Sequence, residues 1–257
     1  MGNGLKAVLF DFNGVIINDE PIHKALVEQL LGQENLQLVA GEYQQVCLGR
    51  SDRACFTELL SRRGLMMQPA DLQHLLLHKA RAYQETLATL AKLPLYPGLE
   101  DLIFKLRAAD VKMAMVTGAQ RADVKLVLSR TQLATYFSSI VTADDIPTSK
   151  PAPDGYLLAV KHLNRQYQGL NLKPCNCLVI EDTFAGIEAA RQAGMPVVGV
   201  ANTYPFHLIQ RRANWVVDYL SELDLDWVRE VFAATNTHDQ SAMHSVNRQG
   251  IMPIDKA

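Results

Sequence analysis

The chain has few cysteines for its length: Cys47, Cys55, Cys175 and Cys177 among 257 residues. That excludes a small fold built around disulfides. No His or Cys pair complements Cys175 and Cys177 at zinc spacing, so they read as small apolar residues opening a buried strand. No run reaches the roughly 18 apolar residues that a membrane-spanning helix needs. Met1 to Lys6 lacks the charged and apolar regions of a signal peptide, so the cytoplasm is the expected compartment. Neither sign of charge dominates, with a net charge of −2 and a pI of about 6.4. Nucleic acid and anionic membranes are therefore not expected as partners. No internal repeat is found. Hydrophobic residues, at 48%, are enough for a sizeable core.

Ala7-Val8-Leu9-Phe10 is a short apolar run that ends in Asp11 and is followed closely by Gly14. A buried parallel strand whose carboxyl end carries chemistry has this form. From Pro21 to Leu93 the apolar residues change to helical spacing: Ile22, Leu26, Leu30, then Phe56, Leu59, Leu60, then Leu72, Leu75, Leu76, then Tyr83, Leu87, Leu90. This stretch predicts an all-helical unit inserted after the first strand, closed by Pro94 and Pro97-Gly98. Strand and helix patterns then alternate. Strands are expected at 111–117, 138–141, 177–181, 196–201 and 215–217. Helices are expected at 122–128, 155–163 and 185–193, with a last one capped by Ser221. The fold class that follows is α/β, a doubly wound parallel sheet with an inserted helical unit. Residues 1–18 and 95–234 form the expected core domain and 19–94 the helical cap. Residues 235–257 are expected to be a polar tail.

Ligands of an open parallel sheet bind beyond the carboxyl ends of its strands. The polar residues expected there are Asp11 and Asn13, Thr117-Gly118, Glu181-Asp182, and Lys150 in a loop before a helix. Carboxylates from two strand ends suit a hard cation such as Mg²⁺. A hydroxyl, backbone N–H groups and a lysine suit the oxygens of a phosphoryl group. The set supplies a nucleophile, a metal site, a hydroxyl donor and a cation, which are the parts of phosphoryl transfer. Acidic residues after strands are often mere turn residues; here the complete set carries the reading.

The run Asp11-Phe12-Asn13-Gly14-Val15-Ile16, with Thr117-Gly118, Lys150-Pro151-Ala152-Pro153-Asp154 and Glu181-Asp182, resembles the four motifs of the haloacid dehalogenase-like superfamily. The likeness extends to about residue 234. The helical insertion, His23, the loop Gly49-Arg50-Ser51-Asp52 and the segment Lys79 to Tyr83 resemble its β-phosphoglucomutase-like branch. The resemblance implies that Asp11 attacks phosphorus to form a phosphoaspartate. It implies Mg²⁺ held by Asp11, Asp182 and the main-chain carbonyl of Asn13, with Glu181 holding metal-bound water. Thr117 and the N–H of Gly118 would bind phosphoryl oxygens, and Lys150 would offset the charge. Arg50 and Lys79 would reach the substrate from the cap, and His23 would couple cap position to the site. The expected partner is a small phosphorylated metabolite, for example a sugar phosphate.

At Asn13 the chain departs from the family pattern, which has there a second aspartate that protonates the leaving group and activates water. An amide can hydrogen-bond but cannot exchange a proton at neutral pH. General acid–base catalysis is worth about 10²–10⁴-fold, so turnover is the property affected. Three readings follow: a phosphatase, a phosphomutase, or a relative that binds a phosphorylated ligand without turnover. Restoring the carboxyl group at position 13 is expected to raise phosphatase turnover.

Overall fold

The structure, a computed structural model, describes residues 4–234. The expected tail, 235–257, lies outside them. Strand β1, Ala7–Phe10, is wholly buried at the centre of a six-stranded parallel sheet. With β2 Lys112–Val116, β3 Ser139–Val141, β4 Cys177–Glu181, β5 Val197–Val200 and β6 Trp215–Val217, the order is β3-β2-β1-β4-β5-β6. Every pairing is parallel. Helices therefore cover both faces, as such a sheet requires.

Alternation along the strands divides the core in two. Val8, Phe10, Met113, Met115 and Ile180 face helices α5 Leu99–Ala108, α6 Arg121–Thr131 and α10 Leu225–Ala234. Ala7, Leu9, Ala114 and Val179 face α7 Asp154–Gln166, α8 Phe184–Gln192 and the short α9 Phe206–Ile209. Helix α5 was not anticipated, although Leu99, Leu102, Ile103 and Leu106 form its buried stripe. Ser221 does not cap the last helix. It lies in a short 3₁₀ turn, and Asp224 caps α10 by accepting from the N–H of Trp227 at 2.9 Å.

Between β1 and α5 the chain forms α1 Glu20–Gln33, α2 Glu42–Val46, α3 Asp52–Ser61 and α4 Pro69–Thr89. They enclose an apolar cluster of their own, including Val27, Leu31, Tyr43, Phe56, Leu59 and Leu76. Leu26, Tyr83 and Leu87 extend the sheet-side core into this unit. The two chain crossings run side by side, where the N–H of Asn18 donates to the carbonyl of Pro94 at 2.8 Å. Cys47 and Cys55 are joined by a disulfide that closes the loop from α2 into α3, a bond the sequence did not suggest. Cys177 is buried as expected, whereas Cys175 is exposed.

Candidate active site

The register of β1 with β4 pairs Phe10 with Ile180. The residues that follow, Asp11 on one strand and Glu181-Asp182 on the other, emerge together at the carboxyl edge of the sheet. Oxygens from these three buried carboxylates lie within 4.8 Å of one another. Lys150 enters from the loop before α7 and places Nζ 2.8 Å from Asp11 Oδ1 and 2.6 Å from Glu181 Oε1. Tyr156 donates to the same Glu181 oxygen at 2.8 Å. The other Glu181 oxygen accepts from the backbone N–H of Asp182 and Thr183 and from the Thr183 hydroxyl. Asp182 Oδ2 accepts from the Thr203 hydroxyl. Gly14 has a φ of 79°, and a Cβ there would collide with the Asp182 carboxylate. Only glycine takes this turn without loss.

One lysine among three carboxylates leaves an excess of buried negative charge. Burial, then the charge of Glu181, push the Asp11 carboxyl up to about 7 against the pull of Lys150. Burial, Glu181 and Asp11 hold Asp182 well above the usual carboxylate range. Asp182 Oδ1 is buried without any hydrogen-bond partner. An orphaned carboxylate oxygen beside two further carboxylates is the donor set of a hard divalent cation. The residues present therefore fit Mg²⁺.

Thr117 and Gly118 follow β2 on the other side of Asp11. The Thr117 hydroxyl accepts from the N–H of Ala119 at 3.0 Å and lies 3.5 Å from Asn13 Oδ1. The helical unit comes down on this edge through residues 49–51. A Cβ on Gly118 would stand 2.9 Å from the backbone of Arg50 and Ser51. The N–H of Ser51 donates to Ser149 Oγ at 2.8 Å. Between unit and sheet lies a cleft of about 550 Å³, open to solvent. Asp11, Asn13, His23, Arg50 and Gly118 line it, with Glu20, Tyr43, Asp52 and Thr183.

Asp19, fully buried where α1 begins, is the residue that sequence reasoning missed. Both its oxygens accept from Asn13 Nδ2, at 3.0 and 2.9 Å, and Oδ2 also accepts from the Tyr83 hydroxyl. His23 Nε2 lies 3.3 Å from Oδ2. Burial opposes ionisation of Asp19, but His23, Tyr83 and Asn13 outweigh it and hold the carboxyl below its usual range. Lys79 Nζ lies 2.8 Å from His23 Nδ1 and 2.6 Å from Asp52 Oδ1. His23 Nε2 also lies 3.1 Å from Asn13 Nδ2. Lys79 was expected to reach the substrate. It is buried, bonded to His23 and Asp52, and Asp52 rather than Lys79 is among the residues that line the cleft. Asp11, Asn13, Thr117, Gly118, Lys150, Glu181, Asp182, His23 and Arg50 do converge. The available signal for Asp19 was an acidic residue one helical turn before His23.

A profile described as haloacid dehalogenase-like hydrolase matches residues 8–200. The chain belongs to that family. Protein CbbY of Rhodobacter capsulatus is 30% identical over 222 residues, covering 84% of this chain and 94% of that protein. Fructose-1-phosphate phosphatase YqaB of Escherichia coli is 31% identical over 202 residues, covering 75% and 95%. The crystal structure of β-phosphoglucomutase from Clostridium difficile superposes with a TM-score of 0.79 at 22% identity. It covers 91% of this chain and 100% of that one, so the fold is shared over nearly the whole length. The chain is thus an enzyme of the hydrolase class, a phosphoric monoester hydrolase. Among the described residues no helix is long and apolar enough to cross a membrane.

Proposed function

We propose that this enzyme is a Mg²⁺-dependent phosphatase that hydrolyses a small phosphorylated metabolite of the sugar phosphate class through a phosphoaspartate at Asp11. The observation that carries this reading is the meeting of Asp11, Glu181, Asp182 and Lys150 at one sheet edge. Similarity to a fructose-1-phosphate phosphatase supports the substrate class. Asp11, Asp182 and the carbonyl of Asn13 would hold Mg²⁺, with Glu181 behind them. When bound, the ion supplies positive charge that neutralises phosphoryl oxygens and keeps Asp11 ionised.

The Asp11 carboxylate attacks phosphorus, and the bond from phosphorus to the substrate's alkoxide oxygen breaks. Thr117, the N–H of Gly118 and Lys150 bind the charge on the phosphoryl oxygens in both steps. The departing alkoxide takes its proton from water or from the substrate itself. Water then attacks the phosphoaspartate and releases phosphate and the free Asp11 carboxylate. Arg50, whose Nε is buried and unpartnered, offers a donor to the part of the substrate that does not react. The helical unit, 19–94, acts as a cap that closes over the substrate and excludes bulk water. The cytoplasm is the compartment we assign; the Cys47–Cys55 disulfide is the one feature that favours an oxidising one.

Screening phosphorylated metabolites for phosphate release, with Mg²⁺ and with chelator, tests the reading. Release that survives chelation, or the Asp11→Asn substitution, contradicts it. Conversion of a sugar phosphate to its isomer without release would make the enzyme a mutase.

A further inference from the structure

The residue at position 13 is an amide, and the buried residue facing it is a carboxylate. We propose that Asn13 and Asp19 are a matched pair, in which Asp19 is a positioning residue that turns the Asn13 carbonyl oxygen into the active site. The inference rests on the phosphatase reading for its catalytic consequence, but the pair itself does not depend on that reading.

Both Asp19 oxygens lie within 3.0 Å of one end of the Asn13 side chain. A carboxylate accepts and cannot donate, so the end facing it must be NH₂. The carbonyl Oδ1 then faces the opposite way, toward Thr117 Oγ1 and the cleft. Asp19 is held in turn. It is fully buried, accepts from Tyr83 and faces the His23 ring. His23 stacks on Tyr83 with ring centroids 4.5 Å apart, and Lys79 ties it to Asp52 on α3. The amide is thereby connected to α1, α3 and α4, the helices that close over the cleft. Asn13 thus presents a fixed acceptor to a water or hydroxyl beside the phosphoryl group. It orients that oxygen and exchanges no proton with it.

The same geometry explains why position 13 is not an aspartate in this chain. A carboxyl group there would set an oxygen about 3 Å from both oxygens of Asp19, acceptor against acceptor with no donor between them. It would also remove from Asp19 the donor that reaches both of its oxygens. The gain expected from Asn13→Asp by itself is therefore blocked by Asp19. Exchanging the two groups, with the carboxylate at 13 and the amide at 19, restores one donor facing one acceptor.

A double-substitution cycle tests the pair. Wild type, Asn13→Asp, Asp19→Asn and the double variant are compared with Mg²⁺ by thermal midpoint, and by kcat and KM. The probes are p-nitrophenyl phosphate, whose leaving group needs little protonation, and glycerol phosphate, whose alkoxide does. Each single substitution should lower the midpoint, and the double should recover most of the loss. On glycerol phosphate the double variant should exceed Asn13→Asp in kcat by about 10-fold, with KM changed little. On p-nitrophenyl phosphate the advantage should be much smaller. Additive effects on midpoint and kcat would overturn the proposal. If no variant releases phosphate from either probe, coupling in the midpoint still supports the pair, and the phosphatase reading fails separately. Should the position-13 variants not fold, the wild-type Asn13 side-chain NH₂ signals in NMR decide. Slow exchange that is lost in Asp19→Asn supports the pair, and fast exchange in both overturns it.

Discussion

Lys150 Nζ stands 2.8 Å from Asp11 Oδ1, and the same ammonium reaches Glu181 at 2.6 Å. Among the described residues it is the one cation in contact with the buried carboxylates at the sheet edge, so its loss leaves them facing each other. Lys150→Met is expected to lower kcat by about 10²-fold or more, because the charge shared by Asp11 and the phosphoryl group is no longer offset. It should also destabilise the fold by about 3–5 kcal/mol, the usual result of removing one partner from a buried ion pair. Denaturant unfolding with steady-state kinetics checks both. Unchanged kcat would remove Lys150 from the chemistry.

The carboxylates set a pH dependence with a definite sign. Asp11 is pushed up to about 7, and burial pushes Asp123 up to about 6, from an ordinary value of 3.8. The folded chain thus keeps protons that the unfolded chain has lost. Without Mg²⁺ the contribution of these two groups to stability is full below the ordinary carboxylate value and is lost as the pH rises through 6 to 7. Mg²⁺ must displace the protons near Asp11, so it should stabilise more at about pH 8 than at about pH 5. At a hundredfold excess over Kd the thermal midpoint should rise by about 5–10 °C. A larger rise at the lower pH would contradict the metal site.

Gly118 is one contact between the helical unit and the sheet edge. Its missing Cβ leaves room for the backbone of Arg50 and Ser51 at 2.9 Å. Gly118→Ala should weaken the closed arrangement by about 1–3 kcal/mol, by overpacking. The expected reading is a raised KM and a larger radius of gyration with substrate bound, measured by kinetics and X-ray scattering. No change in either would show that the unit does not close on this surface.

Cys47 and Cys55 bracket the segment that carries Gly49, Arg50 and Asp52 to the cleft. Reduction, or Cys47→Ser with Cys55→Ser, should cost about 2–3 kcal/mol of stability for a loop this short. Because the segment lies over the substrate, KM should rise more than kcat falls. Equal stability and kinetics in both redox states would contradict this role.

The sheet and the acidic residues at its carboxyl edge were legible because each depends on short-range pattern. Ala7 to Asp11 and Cys177 to Asp182 are apolar runs ending in acids, and a parallel register brings such ends together without further instruction. The helical unit was legible from the spacing of Leu26, Leu30, Leu72 and Leu76. Helix α5 carries an equally clear stripe from Leu99 to Leu106 but follows a Pro-Gly turn that drew attention to the boundary instead. What the sequence could not show are contacts between residues far apart in the chain. Tyr83 lies 64 positions from Asp19, and Lys79 lies 56 from His23. Only the packing of α4 on α1 turns these residues into one network. Asp19 itself reads as an ordinary helix-start acid until Asn13 is seen to face it. Cys47 and Cys55 likewise gave no signal, because a single short-range pair has no framework of spacing to betray it.

The central claim is that Asp11 carries the phosphoryl group, and the most direct measurement is to trap it. Enzyme turning over a phosphorylated substrate with Mg²⁺ is quenched in acid and its peptides are analysed by mass spectrometry. The account predicts a phosphoryl adduct on the peptide containing Asp11, labile to hydroxylamine as an acyl phosphate must be, and absent from Asp11→Asn. Phosphate release that proceeds with no adduct at any time, or that continues in Asp11→Asn, would contradict it.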